Sequence, residues 1–232
     1  MAITSNIVVD LDDTIVNIAD LWVRLIHENR DYFEKYFNLL PDEIVQNPTL
    51  LRAVVYSREI FSLLDWLKKD SFDSESDEIK EEVTNFFYSL YNNPKFYDYV
   101  TFTSLGNFFR DFSAMKYFNK IYIVSRCTSP ENAKSKEAFV KKHFDNPKIK
   151  FVGLDRDAKK SDLINTIGDI DTVVDDEKSN IIDIMKNCEG EMELYIPKLG
   201  YNIFNEDEDL SELKYSDNKL IYNYDINGTI LH

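Results

Sequence analysis

The residues best able to do chemistry are Asp10-Leu11-Asp12-Asp13-Thr14, which directly follow the apolar run Ile7-Val8-Val9. If the extended backbone of that run persists, its two-residue period puts Asp10 and Asp12 on one side of the chain and Leu11 on the other. Two carboxylates then meet at a strand end and can divide a displacement at phosphorus. One attacks and forms an acyl phosphate, while the other protonates the leaving oxygen and later activates water. Alone the pattern is weak, because Asp12 or Asp13 could simply cap the next helix.

Three further sites have the same layout. Ser125 follows Ile121-Tyr122-Ile123-Val124, where a hydroxyl can donate to a phosphoryl oxygen, or can merely start a helix. Lys159-Lys160 precedes Ser161-Asp162-Leu163-Ile164, and one ammonium could neutralise both a nucleophile and a transferring group, although most lysines are simply solvated. Asp175-Asp176 follows Thr172-Val173-Val174. Adjacent carboxylates at a buried strand end repel, and a hard cation such as Mg²⁺ would relieve that cost; helix capping is the plainer alternative. All four sites fall in order, each tied to a predicted strand, and coincidence is a poor account of that.

The elements that must position these residues are short β-branched runs at 7–9, 121–124, 151–154 and 172–174, separated by stretches of helical period at 132–144 and 161–167. Such alternation predicts an α/β fold, a Rossmann-like parallel sheet with helices on both faces and ligands at the carboxyl ends of the strands. A long insert of different character separates the first two strands. Leu21, Trp22, Leu25, Ile26, Tyr32, Phe33, Tyr36 and Phe37, then Ile79, Val83, Phe86, Phe87, Leu90 and Tyr91, recur at three- and four-residue spacing. Residues 50–67 read as another helix and 70–77 as a connection, so residues 17–103 are expected to form a helical subdomain inserted into a core of 1–16 and 104–232. Residues 108–118 should return the chain as a helix and 191–196 form a late strand. Asn227-Gly228, between 219–224 and 229–231, predicts a C-terminal β-hairpin. Asp225-Ile226-Asn227-Gly228-Thr229 imitates the first site, but is expected to be only that turn.

Composition narrows the partners. A formal net charge of −15 disfavours binding to long nucleic acid, while a local lysine and a cation can still hold a small anion. Two cysteines, Cys127 and Cys188, suit a reducing compartment; with no signal-like start and no run approaching a membrane span, a cytoplasmic protein is expected. His27, His143 and His232 have no metal-ligand spacing, and no Walker-type loop occurs.

The ordered set Asp10-Leu11-Asp12-Asp13-Thr14, Ser125, Lys160 and Asp175-Asp176 resembles the four motifs of the haloacid dehalogenase (HAD) superfamily. The resemblance implies Asp10 as nucleophile, Asp12 as general acid and base, Ser125 as phosphate ligand and Lys160 as charge stabiliser, with Lys159 the alternative. It implies a Mg²⁺ site from Asp10, the Asp12 carbonyl and Asp176, with Asp175 as ligand or support. Asp13, Thr14 and Arg126 join Ser125 and Lys160 as expected phosphate or substrate contacts. An acid at position 12 resembles the phosphatase and phosphotransferase branches, and the insert resembles a C1-type cap, as in 5'-nucleotidase relatives. The expectation is thus a phosphatase of a small phosphorylated metabolite, first a nucleoside 5'-monophosphate. The alternatives are a sugar phosphate substrate or a catalytically silent phosphate-binding regulatory protein. The cap aromatics are more simply core than substrate contacts, and Arg30, Arg52 and Arg58 are open candidates for a substrate's polar end.

Overall fold

The computed structural model describes residues 5–38, 42–47, 68–111, 114–197 and 219–222. Six strands form one sheet: β1 (Ser5–Asp10), β4 (Phe118–Cys127), β5 (Ile149–Asp155), β6 (Thr172–Val174), β7 (Glu193–Ile196) and β8 (Lys219–Tyr222). Their order is β5-β4-β1-β6-β7-β8 and every pairing is parallel. The expected β-rich runs are continuous in apolarity because both sheet faces are covered. Ile7, Val9, Ile121 and Ile123 pack into one apolar core, whereas Val8, Tyr122, Val124 and Val173 pack into the other, with Ile164, Ile181, Ile184 and Leu194. The helices α6 (Pro130–His143), α7 (Lys160–Ile167) and α8 (Lys178–Asn187) make the crossovers.

Register brings the predicted sites level. Asp10 lies opposite Val124, one residue before Ser125, and Val9 lies opposite Val174, one residue before Asp175. Asp10, Ser125 and Asp175 therefore emerge together at the carboxyl edge of three adjacent strands.

The insert leaves and rejoins the core at one point. β2 (Val16–Asn17) pairs antiparallel with β3 (Thr101–Phe102), and Asn17 Nδ2 donates to Thr101 Oγ1 at 3.0 Å. Between them run α1 (Ala19–Glu28), α2 (Arg30–Phe33), α3 (Asp42–Gln46) and α4 (Asp77–Tyr91). The apolar period from Leu21 is carried by α1 and α2 as far as Phe33, with Tyr36 and Phe37 beyond the end of α2. Asn29 breaks it, with its side-chain amide donating to the Leu25 carbonyl at 2.6 Å. The acidic connection contains a 3-10 turn at Asp70–Ser74 that buries Phe72. The expected helix at 50–67 and Trp66, Arg52 and Arg58 lie outside the described residues.

Most of the described aromatics of this segment are core. Trp22 stacks on Phe87 with centroids 4.1 Å apart and planes 9° apart, and Phe33, Phe37 and Phe96 are buried beside this cluster. Such stacking adds about 0.5–1.5 kcal/mol beyond the area buried.

The return to the core differs from the expected helix over 108–118. α5 spans Ser104–Arg110, a 3-10 turn follows at Ala114–Tyr117, and Phe118 already begins β4. The start is fixed by Thr103, whose hydroxyl accepts from Gly106 N at 3.0 Å and donates to the Thr14 carbonyl at 2.7 Å. Gly106 lets α5 approach this closely, since a Cβ there would stand 2.1 Å from the Ile15 carbonyl oxygen. At the far edge β8 pairs in parallel with β7; residues 223–232, which hold the turn and second arm of the expected hairpin and the imitation of the first site, lie outside the described residues.

Candidate active site

Beyond Asp10 the chain turns instead of extending further. Ile15 and Val16 amides both donate to the Leu11 carbonyl, Leu11 is fully buried, and Asp13 adopts a φ of 56°. That tight loop separates the environments of Asp10 and Asp12.

Asp10 faces Lys160. The Lys160 ammonium, 2% exposed at the first residue of α7, hydrogen-bonds Asp10 Oδ1 and reaches Asp175 Oδ2 at 2.5 Å. Lys159 instead points outward, its side chain 60% exposed, and pairs with Asp183 at 3.4 Å. Of the two lysines, Lys160 is therefore the one at the strand edge. Burial opposes the Lys160 charge, but Asp10 and Asp175 outweigh it and raise its pKa above the ordinary lysine value. Burial pushes the Asp10 carboxyl up to about 7; Lys160 opposes this, while Asp175 and Asp12 add to it. Asp175 is further fixed by Asn180 Nδ2, at 3.1 Å to both of its carboxylate oxygens, and by Glu177 N at 2.9 Å.

Asp12 occupies a different cage. Lys136 Nζ at 2.8 Å and Tyr91 Oη at 2.6 Å both donate to Oδ2, while Tyr97 Oη donates to Oδ1 at 2.8 Å. Lys136 also donates to Ser125 Oγ at 2.8 Å and to the Arg126 carbonyl at 2.7 Å. Burial opposes the Lys136 charge, but Asp12 dominates with help from Tyr91, and its pKa is raised. Burial and the Asp12 carboxylate push both phenols upward.

The remaining predicted contacts are engaged within the protein. Asp13 Oδ1 accepts from Ile18 N at 2.9 Å, which closes the loop ahead of α1 rather than capping the first turn of the helix. Thr14 Oγ1 donates to Asp176 Oδ1 at 2.9 Å and accepts from Asp176 N at 3.2 Å, so it braces Asp176. Arg126 turns to Glu177 Oε2 at 3.0 Å and to the Ala158 carbonyl at 3.4 Å, tying the end of β4 to neighbouring loops. In the insert, Arg30 pairs with Asp42 at 3.2 Å.

Among the described residues no three acidic, histidine or cysteine side chains stand so that they could hold a metal ion between them. Mg²⁺ keeps several waters and takes only one or two carboxylates beside a phosphate, so a full protein cage is not required. The donors fit it in kind. Asp10, Asp12, Asp175 and Asp176 bring four carboxylates against the two buried ammonium groups of Lys136 and Lys160, an excess of two negative charges. Burial is the main cause of the upward shift of Asp10, and the neighbouring Asp175 and Asp12 carboxylates add to it.

Lys136, Tyr91 and Tyr97 were not read from sequence as parts of the site. Lys136 did leave a signal: it shares a helical stripe with Asn132, Phe139 and Val140, where a lysine interrupts a buried face.

No family model matches this sequence, and no curated protein sequence matches it. Solved structures do. The chain is similar to a candidate phosphatase from Clostridium difficile, at a TM-score of 0.54 and 13% identity, over 96% of this chain and 95% of that one. It is similar to a predicted phosphatase from Clostridium acetobutylicum, at a TM-score of 0.51 and 13% identity over 97% and 95%. A haloacid dehalogenase-like family hydrolase from Streptococcus pneumoniae aligns at 0.49 and 14% over 97% and 96%. At these identities the likeness to the two phosphatases defines the fold alone: a Rossmann-like α/β sheet, shared over nearly the whole chain.

Proposed function

We propose that this chain is a Mg²⁺-dependent phosphomonoester phosphatase of the HAD type that works through an aspartyl-phosphate on Asp10. The observation that carries the proposal is the Lys160 ammonium set between the Asp10 and Asp175 carboxylates at the carboxyl edge of adjacent parallel strands. An Asp10 oxygen attacks phosphorus as the bond to the substrate oxygen breaks. That oxygen leaves as an alcohol with a proton from Asp12, and water then attacks the aspartyl-phosphate, giving its proton to Asp12 and releasing phosphate. Lys160 offsets charge on Asp10 and on the transferring group, and the Ser125 hydroxyl donates to a phosphoryl oxygen.

Mg²⁺ held by Asp10, the Asp12 carbonyl and Asp176, with Asp175 as ligand or support, would screen the substrate's negative charge from these carboxylates. Residues 17–103 act as a C1-type cap over the core of 1–16 and 104–232. In support, Tyr91 and Tyr97 reach Asp12 from this segment. The resemblance of the helical segment to the C1-type cap of 5'-nucleotidase relatives favours a nucleoside 5'-monophosphate as substrate, in a protein of the cytoplasm. Among the described residues no helix is long and apolar enough to cross a membrane.

The experiment is a phosphomonoester panel with Mg²⁺, with excess chelator, and with Asp10→Asn. Hydrolysis that needs Mg²⁺ and Asp10 and is fastest on nucleotides supports every part. Preference for sugar phosphates would overturn only the substrate, and an Asp10→Asn variant as fast as wild type would overturn the covalent mechanism.

A further inference from the structure

We infer that Lys136 is a positioning residue for the reaction, holding Asp12 and Ser125 in one working geometry; this rests on the phosphatase reading above. Its ammonium has zero exposure, and its three donors meet three acceptors at 2.7–2.8 Å: Asp12 Oδ2, Ser125 Oγ and the Arg126 carbonyl. It also lies 5.3 Å from the Tyr91 ring centroid and 5.9 Å from that of Tyr97.

Burying a cation carries a large desolvation cost, and an apolar residue on that stripe of α6 would pack beside Phe139 and Val140 without it. The charge sits instead between two side chains with assigned chemistry. Because Ser125 Oγ accepts from Lys136, its hydroxyl proton points away from the ammonium; here it makes only a long 3.5 Å contact with the Arg126 carbonyl, which an incoming phosphoryl oxygen would replace. Because Asp12 is gripped at both oxygens by Lys136, Tyr91 and Tyr97, its carboxylate keeps one orientation for taking or giving a proton. Lys160 serves the nucleophile, and Lys136 serves the acid and base.

The test is a cycle of Lys136→Met, Asp12→Asn and the double variant, assayed with Mg²⁺ on an alkyl phosphate and on p-nitrophenyl phosphate. Circular dichroism and melting temperature are followed throughout. The alkyl leaving group needs a proton and the nitrophenolate does not, so a group acting through Asp12 affects the first ester more. Lys136→Met should lower kcat/KM on the alkyl ester by on the order of tenfold or more, and on the aryl ester by several-fold less. On the alkyl ester the double variant should be much faster than the product of the two single losses predicts, because most of the Lys136 effect passes through Asp12 and only the Ser125 part remains. Equal losses on both esters that multiply in the double variant, with a matching fall in melting temperature, would make Lys136 a structural staple and overturn the inference. If Lys136→Met does not fold, Lys136→Gln decides by the same cycle. A wild type inactive on both esters overturns the phosphatase reading itself, a result distinct from failure of the Lys136 inference.

Discussion

Replacing Lys160 by methionine removes the ammonium while keeping the length of the side chain. The group is 2% exposed and stands between two carboxylates, one of them in a side chain also only 2% exposed. Without it Asp10 and Asp175 would face one another with no counter-charge. Removing one partner of a buried pair typically costs about 3–5 kcal/mol, because the remaining charge stays desolvated. For a chain of this size each kcal/mol lowers the melting temperature by about 2–4 °C, so a fall of roughly 6–20 °C is expected in chelator. Turnover should fall by on the order of 10²–10³, as when a preorganised electrostatic partner of the transition state is lost. Lys159→Met is the matched control: its ammonium is exposed and its ion pair with Asp183 is worth at most about 1 kcal/mol. Differential scanning calorimetry with and without chelator, together with steady-state kinetics, reads both quantities. If the two variants melt within about 2 °C of one another and turn over equally, the counter-charge account of this site is wrong.

Three other outcomes follow from the same contacts. In metal-free protein the Asp10 carboxyl is raised to about 7 from an ordinary 3.8, so its contribution to stability is full below pH ~4 and is lost as pH rises through ~7. Denaturant titrations in chelator should therefore show Asp10→Asn gaining on wild type between those limits, and a flat difference would refute the shift. Gly106→Ala would place a Cβ 2.1 Å from the Ile15 carbonyl oxygen and should cost about 1–3 kcal/mol, with lowered turnover as the 11–15 loop is pushed aside; wild-type melting and rate would contradict the close approach. Thr14→Val removes the hydroxyl that braces Asp176 and should raise the Mg²⁺ concentration for half-maximal activity by roughly 10-fold or more. An unchanged metal requirement would show that the brace does not matter to the metal.

The strand ends were legible because parallel strands buried on both faces leave uninterrupted apolar runs, and polar residues directly after Val9, Val124 and Val174 stand out against them. Choosing Lys160 over Lys159 also followed local logic, since α7 starts at Lys160 and turns its neighbour outward. What escaped was long-range. Tyr91 and Tyr97 meet Asp12 across 79 and 85 residues, and nothing in their helical spacing distinguishes a ring that holds a carboxylate from one that fills a core. Lys136 was masked by its helix, where Lys134, Glu137, Lys141 and Lys142 make another lysine look ordinary. Extension past Asp10 was the wrong inference about the backbone. The Leu11 carbonyl accepts two amides there and winds the chain into a loop, and the resulting turn commits Asp13 and Thr14 to internal bonds.

The central position of β1 also has a consequence in time. This strand leaves the ribosome first, yet both of its neighbours come much later, β4 from residue 118 and β6 from residue 172. At about 5–20 residues per second, the nascent chain carries Asp10 and Asp12 for roughly 8–30 s before Asp175 and Asp176 exist. Lys160 itself arrives 150 residues after Asp10. A chain halted at any earlier point holds Asp10 with no lysine opposite it and β1 open at one or both edges. The cluster of Asp10, Lys160 and Asp175 is thus incomplete until late in synthesis, and the exposed β1 is where a chaperone would have most to protect.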